Sequence, residues 1–264
     1  MLSNGLLVEA LDAKINSEYH EYNPIVSADG KTLYFSRKEH PDNIGGVEDK
    51  EDIWYSVMDS VDHWQMAQNL KTLNNKGPNF ISSLHAATPD GQGAILVLGN
   101  KYLDNGKMMS GVSISRMIDG QWSKPEALNI ENDYNLHSQA NYFLSNTQAV
   151  LVMSVERDDT HGDRDLYVSF ARGNNLWSEP LNLGPIINTA SEESSPFLSE
   201  DGKTLYFSSP GFSGYGGSDI YVSHRLDESW LKWSEPENMG PEINSPLEDL
   251  FFNIPSHSEY AYYS

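Results

Sequence analysis

A chain of 264 residues with 17 Lys and Arg against 38 Asp and Glu, a formal net charge of −21, offers no basic surface for nucleic acid or anionic lipid. It has no cysteine, which excludes a disulfide framework and thiolate metal sites. No apolar run approaches the ~18 residues of a membrane-spanning helix, so direct membrane insertion is not expected, and the length suits one sizeable β domain.

The N-terminal stretch MLSNGLLVEALDAKIN lacks a basic n-region and a long apolar h-region, so it does not read as a signal peptide. The chain is then either cytoplasmic or a piece of a longer exported protein. Four short segments follow in order: Asn23-Pro24-Ile25-Val26-Ser27, the turn Asp29-Gly30-Lys31, the β-branched and aromatic run Thr32 to Ser36, and Asp52 to Ser56. The same order recurs. A second unit has Pro89-Asp90-Gly91-Gln92 before Ala94 to Leu98, then Gly111 to Ser115; a third has Asn146-Thr147, Ala149 to Met153 and Asp165 to Ser169. The fourth is the clearest: Ser195 to Leu198, a turn with Gly202, Thr204 to Ser208, a glycine-rich loop, Asp219 to Ser223, and Trp233-Ser234-Glu235-Pro236.

Trp64, Trp122, Trp177 and Trp233 lie 58, 55 and 56 residues apart, and a fixed period of this size marks a repeat architecture. A fifth unit begins at Leu247–Phe252, reaches Glu259–Tyr263 and stops. Asn16 to Pro24 aligns without a gap on Asn188 to Pro196. Ends that complement each other around short four-stranded units predict an all-β fold, a five-bladed β-propeller whose last blade is completed by the N-terminal strand Leu6–Leu11. A six-bladed or truncated propeller is the alternative, and a β-sandwich the rival. The expected blades are about 17–76, 77–136, 137–190, 191–246, and 247–264 with 1–16, all in one domain.

The pattern Ser/Asn-Pro, then Asp-Gly-Lys-x-Leu-x-Phe-x-Ser, a glycine-rich loop and Asp-Ile-Tyr resembles the TolB-like propeller repeat, a relative of WD-type repeats. The closing Trp-Ser-Glu-Pro-x-Asn-Leu-Gly is similar to the propeller of OmpA-type cell-envelope proteins of Bacteroidetes-like bacteria, including components tied to type IX secretion. That resemblance implies a periplasmic or envelope location within a longer exported protein. Peptidoglycan binding does not carry over, because it belongs to a neighbouring domain.

One set of candidate site residues is a ring of acids ahead of the innermost strand: Glu21, Glu193 and Asp249, with Gln139 in unit three and Ser82 in unit two. Converging acids bind cations or basic ligands, or act as acid and base; the simpler reading is that each satisfies backbone amides. Asp158, Asp159 and Asp163, with His161 and Asp165, form an acidic loop whose alternating oxygen ligands would suit Ca²⁺, against the plainer reading of a solvated loop without an EF-hand pattern. The turn aspartates (Asp29, Asp90, Asp201) and third-strand aspartates (Asp52, Asp165, Asp219) read as structural. No HExxH, GxSxG, P-loop or GxGxxG is present. No tryptophan follows the Ser27 and Ser199 turns as a sialidase-type box would require. The expected function is a non-catalytic, monomeric interaction module for a protein or glycan partner, with Tyr19, Tyr22, Tyr134 and Tyr215 as binding platforms. The alternative is a glycan-active enzyme using acids at the channel mouth.

Overall fold

The computed structural model describes residues 7–85, 93–255 and 258–264. Its strands form four sheets whose first three strands run from inner to outer in chain order; in the third sheet Asn129–Ile130 also pairs parallel with Leu176–Trp177 at the outer edge. The inner strands are Glu21–Val26, Ile81–His85, Asn141–Leu144 and Ser194–Leu198. Each pairs antiparallel with a second strand, which pairs with a third in turn. Second strands such as Thr32–Arg37 and Thr204–Ser209 are rich in β-branched, aromatic and serine residues, which favour the pleated conformation.

The fourth strands are two residues long: Gln68–Asn69, Glu126–Ala127, Leu181–Asn182 and Glu237–Asn238. They lie beyond the Trp-Ser-Glu-Pro segment expected to close the unit. The proline of that segment has no N–H to give to a ladder, so the tryptophan pairs beside the end of the third strand, as in Arg225 with Trp233. Edge pairing then resumes after the proline.

The inner strands are adjacent in space in the order one, two, three, four. Phe252 closes the circle: its ring lies 5.1 Å from that of Tyr206 in blade four, while Asn253 Nδ2 donates to Pro24 O of blade one at 2.7 Å. Asn23, Ser195 and Phe251 occupy one repeat position, and all three are left-handed (φ 54, 53 and 58). In the first and fourth blades this coincides with a bulge, between Tyr22 and Ile25 and between Ser194 and Phe197, which bends the inner strand.

Each sheet buries its faces against its neighbours, because a four-stranded sheet is apolar on both sides. One core cluster joins Ile95, Val97 and Ile114 of the second blade to Leu151, Met153 and Trp177 of the third; another joins Val152 and Leu166 to Phe207 and Trp233. At the seam between the fifth position and blade one, Ile15, Leu33, Phe35 and Trp54 cluster, with Leu11 and Tyr262 packed against them.

The blade count differs from the expectation. Four blades are complete, not five. In the fifth position only two segments pair: Leu250 and Ser264 exchange backbone hydrogen bonds at 2.7 and 2.9 Å, as do Asn253 and Tyr262 at 2.9 Å each. The expected pairing of Leu6–Leu11 as the outer strand is not found for residues 7–11, which form no strand; Leu6 lies outside the described residues. Among the described residues no third strand stands between them and Tyr260–Tyr263.

The glycine-rich loops before the third strands have a packing reason. A Cβ on Gly162 would collide with the Ser191 carbonyl oxygen, and one on Gly216 would lie 2.5 Å from the carbonyl oxygens of Ser245 and Leu247. Both glycines stand three residues before the third-strand aspartate, and both let the loop touch the next blade's backbone. Gly162→Ala should therefore lower stability by about 1–3 kcal/mol, the usual cost of overpacking, in chemical denaturation. Gly173→Ser, at a turn with open space around it, is the contrasting variant: its cost is backbone strain at φ 84, without a collision between blades.

Candidate functional site

The third-strand aspartates hold their own loops. Asp52 accepts from Ile44 N at 2.7 Å and Asn69 Nδ2 at 2.6 Å. Asp165 accepts from His161 N and Asn182 Nδ2 at 2.9 and 2.8 Å, and Asp219 from Tyr215 N and Asn238 Nδ2 at 2.6 and 2.7 Å. One carboxylate thus ties the loop to the fourth strand in three blades. The turn aspartates behave as local caps: Asp29 accepts from Lys31 N at 3.0 Å and Asp201 from Lys203 N at 2.7 Å. Burial opposes the charge on Asp201, but the Ser199 hydroxyl and the amides of Lys203 and Thr204 outweigh it and hold the carboxyl down at about 2. Asp90 lies outside the described residues.

The candidate ring of acids sits at the starts of the inner strands. Glu21, Glu193 and Asp249 each accept the backbone N–H of the residue four positions earlier: Ser17 at 3.1 Å, Thr189 at 2.8 Å and Ser245 at 2.7 Å. In blade two Asn79 does the same for Asn75 at 2.7 Å, so the equivalent position there is Asn79 and not Ser82. Gln139 is exposed, and its backbone amide, rather than its side chain, donates to His137 Nδ1 at 3.1 Å. Glu193 and Asp249 are buried, and Glu21 is paired with Arg37 at 2.7 Å. Desolvation raises Glu193 to about 7, against the hydrogen bonds from Thr189 and Ser209 that favour its charge.

The acidic loop of blade three does not gather into a metal site. Asp159 accepts the Tyr167 hydroxyl at 2.9 Å, Asp163 faces His137 at 3.8 Å, and Asp158 is exposed. No group of three ligands forms among the described residues. Of the tyrosines offered as platforms, Tyr215 is exposed. Tyr22 donates to Glu51 at 2.6 Å, and Tyr134 lies under the Arg157 guanidinium at 4.2 Å.

A pocket opens instead at the other end of the inner strands, where they turn into their hairpins. Ala28, Asn146 and Glu200, from the hairpins of blades one, three and four, line it together with Ile254 and Pro255. Its walls include Phe197, Phe251 and the inner-strand asparagines Asn23, Asn141 and Asn253. It encloses about 780 Å³ of empty space counted out to the open mouth. The amides of Asn23 and Asn253 are already spent on neighbouring blades, donating to Ile81 O and Pro24 O at 2.7 Å each. Ser195 differs: it lines the pocket, is buried, and its hydroxyl has no partner. An unpartnered buried hydroxyl costs free energy, which a ligand hydroxyl would recover. Among the described lining residues Glu200 is the one carboxylate, and it is exposed. Neither Glu200 nor Ser195 stood out as a functional residue in the sequence; the available signal was the repeat position shared by Asn23, Ser195 and Phe251.

No helix is long and apolar enough to cross a membrane among the described residues. No protein-family model matches the sequence, and no curated protein matches it. The fold has solved relatives. A structure described as a glycoside hydrolase superposes at a TM-score of 0.58 with 8% identity over 98% of this chain and 85% of that one. The α-L-arabinofuranosidase of Lactobacillus brevis superposes at 0.56 with 11% identity, over 92% and 82%. TolB from Acinetobacter baumannii is also similar, at 0.46 with 14% identity over 80% of this chain, and the chain spans 42% of its length. The expectation that the chain is not an enzyme is corrected accordingly: the better superpositions are with structures described as hydrolases. At these identities the likeness is one of fold, an all-β propeller.

Proposed function

We propose that the protein is a glycan-active propeller that takes a saccharide at the mouth of the central pocket. The observation that carries this reading is the lining itself: Phe197, Phe251, Ser195 and the exposed Glu200, from separate blades, line one opening. Aromatic faces pack against the apolar faces of sugar rings, and a few placed polar groups fix orientation. Glu200 is the group in position to give a proton to a glycosidic oxygen. Hydrolysis by a carboxylate pair requires a second carboxyl about 5–10 Å away, so Glu200 is a partner in the chemistry and not the whole of it. Fold likeness to hydrolases supports the class without assigning the substrate, because propellers host unrelated activities. The resemblance of the repeat to envelope propellers supports an action in the bacterial cell envelope, which fractionation of expressing cells would test.

The test is a panel of arylglycosides, sialosides and oligosaccharides incubated with the purified protein. The expected result is turnover of at least one class, falling by about 10²-fold or more in Glu200→Gln, the scale of a lost general acid. Ser195→Ala should weaken saccharide binding by roughly tenfold, about one hydrogen bond. A panel giving neither turnover nor saturable binding would overturn the proposal.

A further inference from the structure

Part of the pocket mouth is built from one repeat position. Ser27, Ser145 and Ser199 close their hairpins in the same way. Each donates its amide to the carbonyl five residues on, of Thr32, Val150 and Thr204, at 2.8, 2.9 and 2.9 Å. Their hydroxyls stay inside the turns as well. Those of Ser27 and Ser145 accept from Thr32 N and Val150 N at 2.9 and 3.1 Å, and that of Ser199 donates to Asp201. Because the serine holds the turn, the side chain after it is free to vary. That next residue is Ala28 in blade one, Asn146 in blade three and Glu200 in blade four, and all three line the mouth.

The charge at this rim has one sign. Glu200 is exposed, and no Lys, Arg or His stands among the described lining residues. Residues 86–92 and 256–257, next in sequence to His85 and Pro255, lie outside the described residues; their sequence holds Asp90 and His257 and no Lys or Arg. The turn lysines Lys31 and Lys203 are exposed, each in the same turn as an exposed aspartate, Asp29 and Asp201. Behind the wall, Arg164 donates to Asn141 Oδ1 at 3.3 Å and is already paired with Glu192. His85 is buried, and desolvation lowers its pKa, so it adds no positive charge at neutral pH.

We propose that the mouth takes uncharged saccharides and refuses uronates and sialosides, and that Glu200 and Asn146 set this choice. The inference rests on the saccharide reading above and narrows its substrate class. A sugar carboxylate at the mouth would meet the ionised Glu200 with no cation among the described lining residues to offset it. Like charges set face to face are a strong means of rejecting a ligand, and the overall charge of −21 acts in the same direction on approach. Uncharged hydroxyls meet the Asn146 amide and the Ser195 hydroxyl, both of which donate and accept. Since Glu200 and Asn146 are both exposed, salt screens the repulsion.

The experiment measures, by calorimetry on the full chain, the binding of three hexasaccharide pairs that differ only in their carboxylates. They are galacturonate and its methyl ester, cellouronate and cellohexaose, and mannuronate and mannohexaose. In low salt the uncharged member of a bound pair should bind about tenfold more tightly or better, and high salt should shrink the difference. Asn146→Lys places a cation at the rim in a turn that Ser145 holds, so it should erase or reverse the preference at an unchanged melting temperature. Glu200→Gln should also narrow it, by improving the binding of the acidic member. Equal or tighter binding of the acidic member by the native chain, or a preference that neither variant moves, overturns the inference and leaves the saccharide reading standing. No binding in any pair removes both.

Discussion

Trp177→Ala should lower the melting temperature by roughly 6–20 °C. The indole is 6% exposed and packs among Ile95, Ile114, Leu128, Met153 and Tyr167, residues of two blades. Truncating a buried tryptophan costs about 3–5 kcal/mol because the cavity cannot collapse, and a domain of this size loses about 2–4 °C for each kcal/mol. Set against a total stability of ~5–15 kcal/mol, one side chain carries much of what holds blades two and three together. Trp122 occupies the same repeat position but is half-buried, its ring 6.0 Å from Tyr34, so Trp122→Ala should cost distinctly less. Differential scanning calorimetry of the two variants decides the matter. A shift of under a degree for Trp177→Ala, or equal shifts for both, would show that the indole does not join the blades.

The period of the tryptophans made the propeller legible because a repeated burial site needs the same large side chain at the same spacing. The third-strand aspartates were legible for a similar reason: Asp52, Asp165 and Asp219 each satisfy a glycine- or turn-rich loop that precedes them. The fourth strands were not, since two residues of ladder leave no alternation to read, and the conspicuous Trp-Ser-Glu-Pro drew attention one step too early. Closure was half legible. Ile15 is buried at the seam with Leu11 packed against it, but the expected pairing of Leu6–Leu11 as an outer strand is not found for residues 7–11. The acids Glu21, Glu193 and Asp249 stood out as a ring, and ring position alone says nothing of which way a carboxylate points; all three turn back to an amide four residues away. The pocket was illegible because its lining comes from the inner strands and hairpins of separate blades, one or two residues at a time. The expectation of a non-catalytic chain rested on missing motifs and on the acids sharing one repeat position, neither of which reads a pocket built from separate blades.

Between about pH 4.5 and 7 the protein should lose stability as the pH rises, and Glu193 should account for most of the slope. Its carboxyl is buried beside Thr189 and Ser209, and desolvation raises it to about 7 in the folded chain; an unfolded glutamate titrates near 4.3. A raised value means that the folded state binds the proton more tightly, so stability is full below the unfolded value and falls until the folded value is passed. The difference corresponds to about 4 kcal/mol across the window, at about 1.4 kcal/mol per unit. Asp52, raised to about 6 by burial, adds a smaller contribution of the same sign at the lower end. Glu193→Gln preserves the contacts: its carbonyl oxygen can accept the Thr189 N–H, held at 2.8 Å in the native chain, while its amide donates to the hydroxyls of Thr189 and Ser209, which lie 2.7 and 2.8 Å from the native carboxyl. Denaturant midpoints measured from pH 4 to 8 should therefore fall less steeply for Glu193→Gln than for the native chain, leaving the variant the more stable of the two at pH 8. Parallel profiles would mean that Glu193 is ionised in the fold throughout this range, its three hydrogen bonds outweighing its burial.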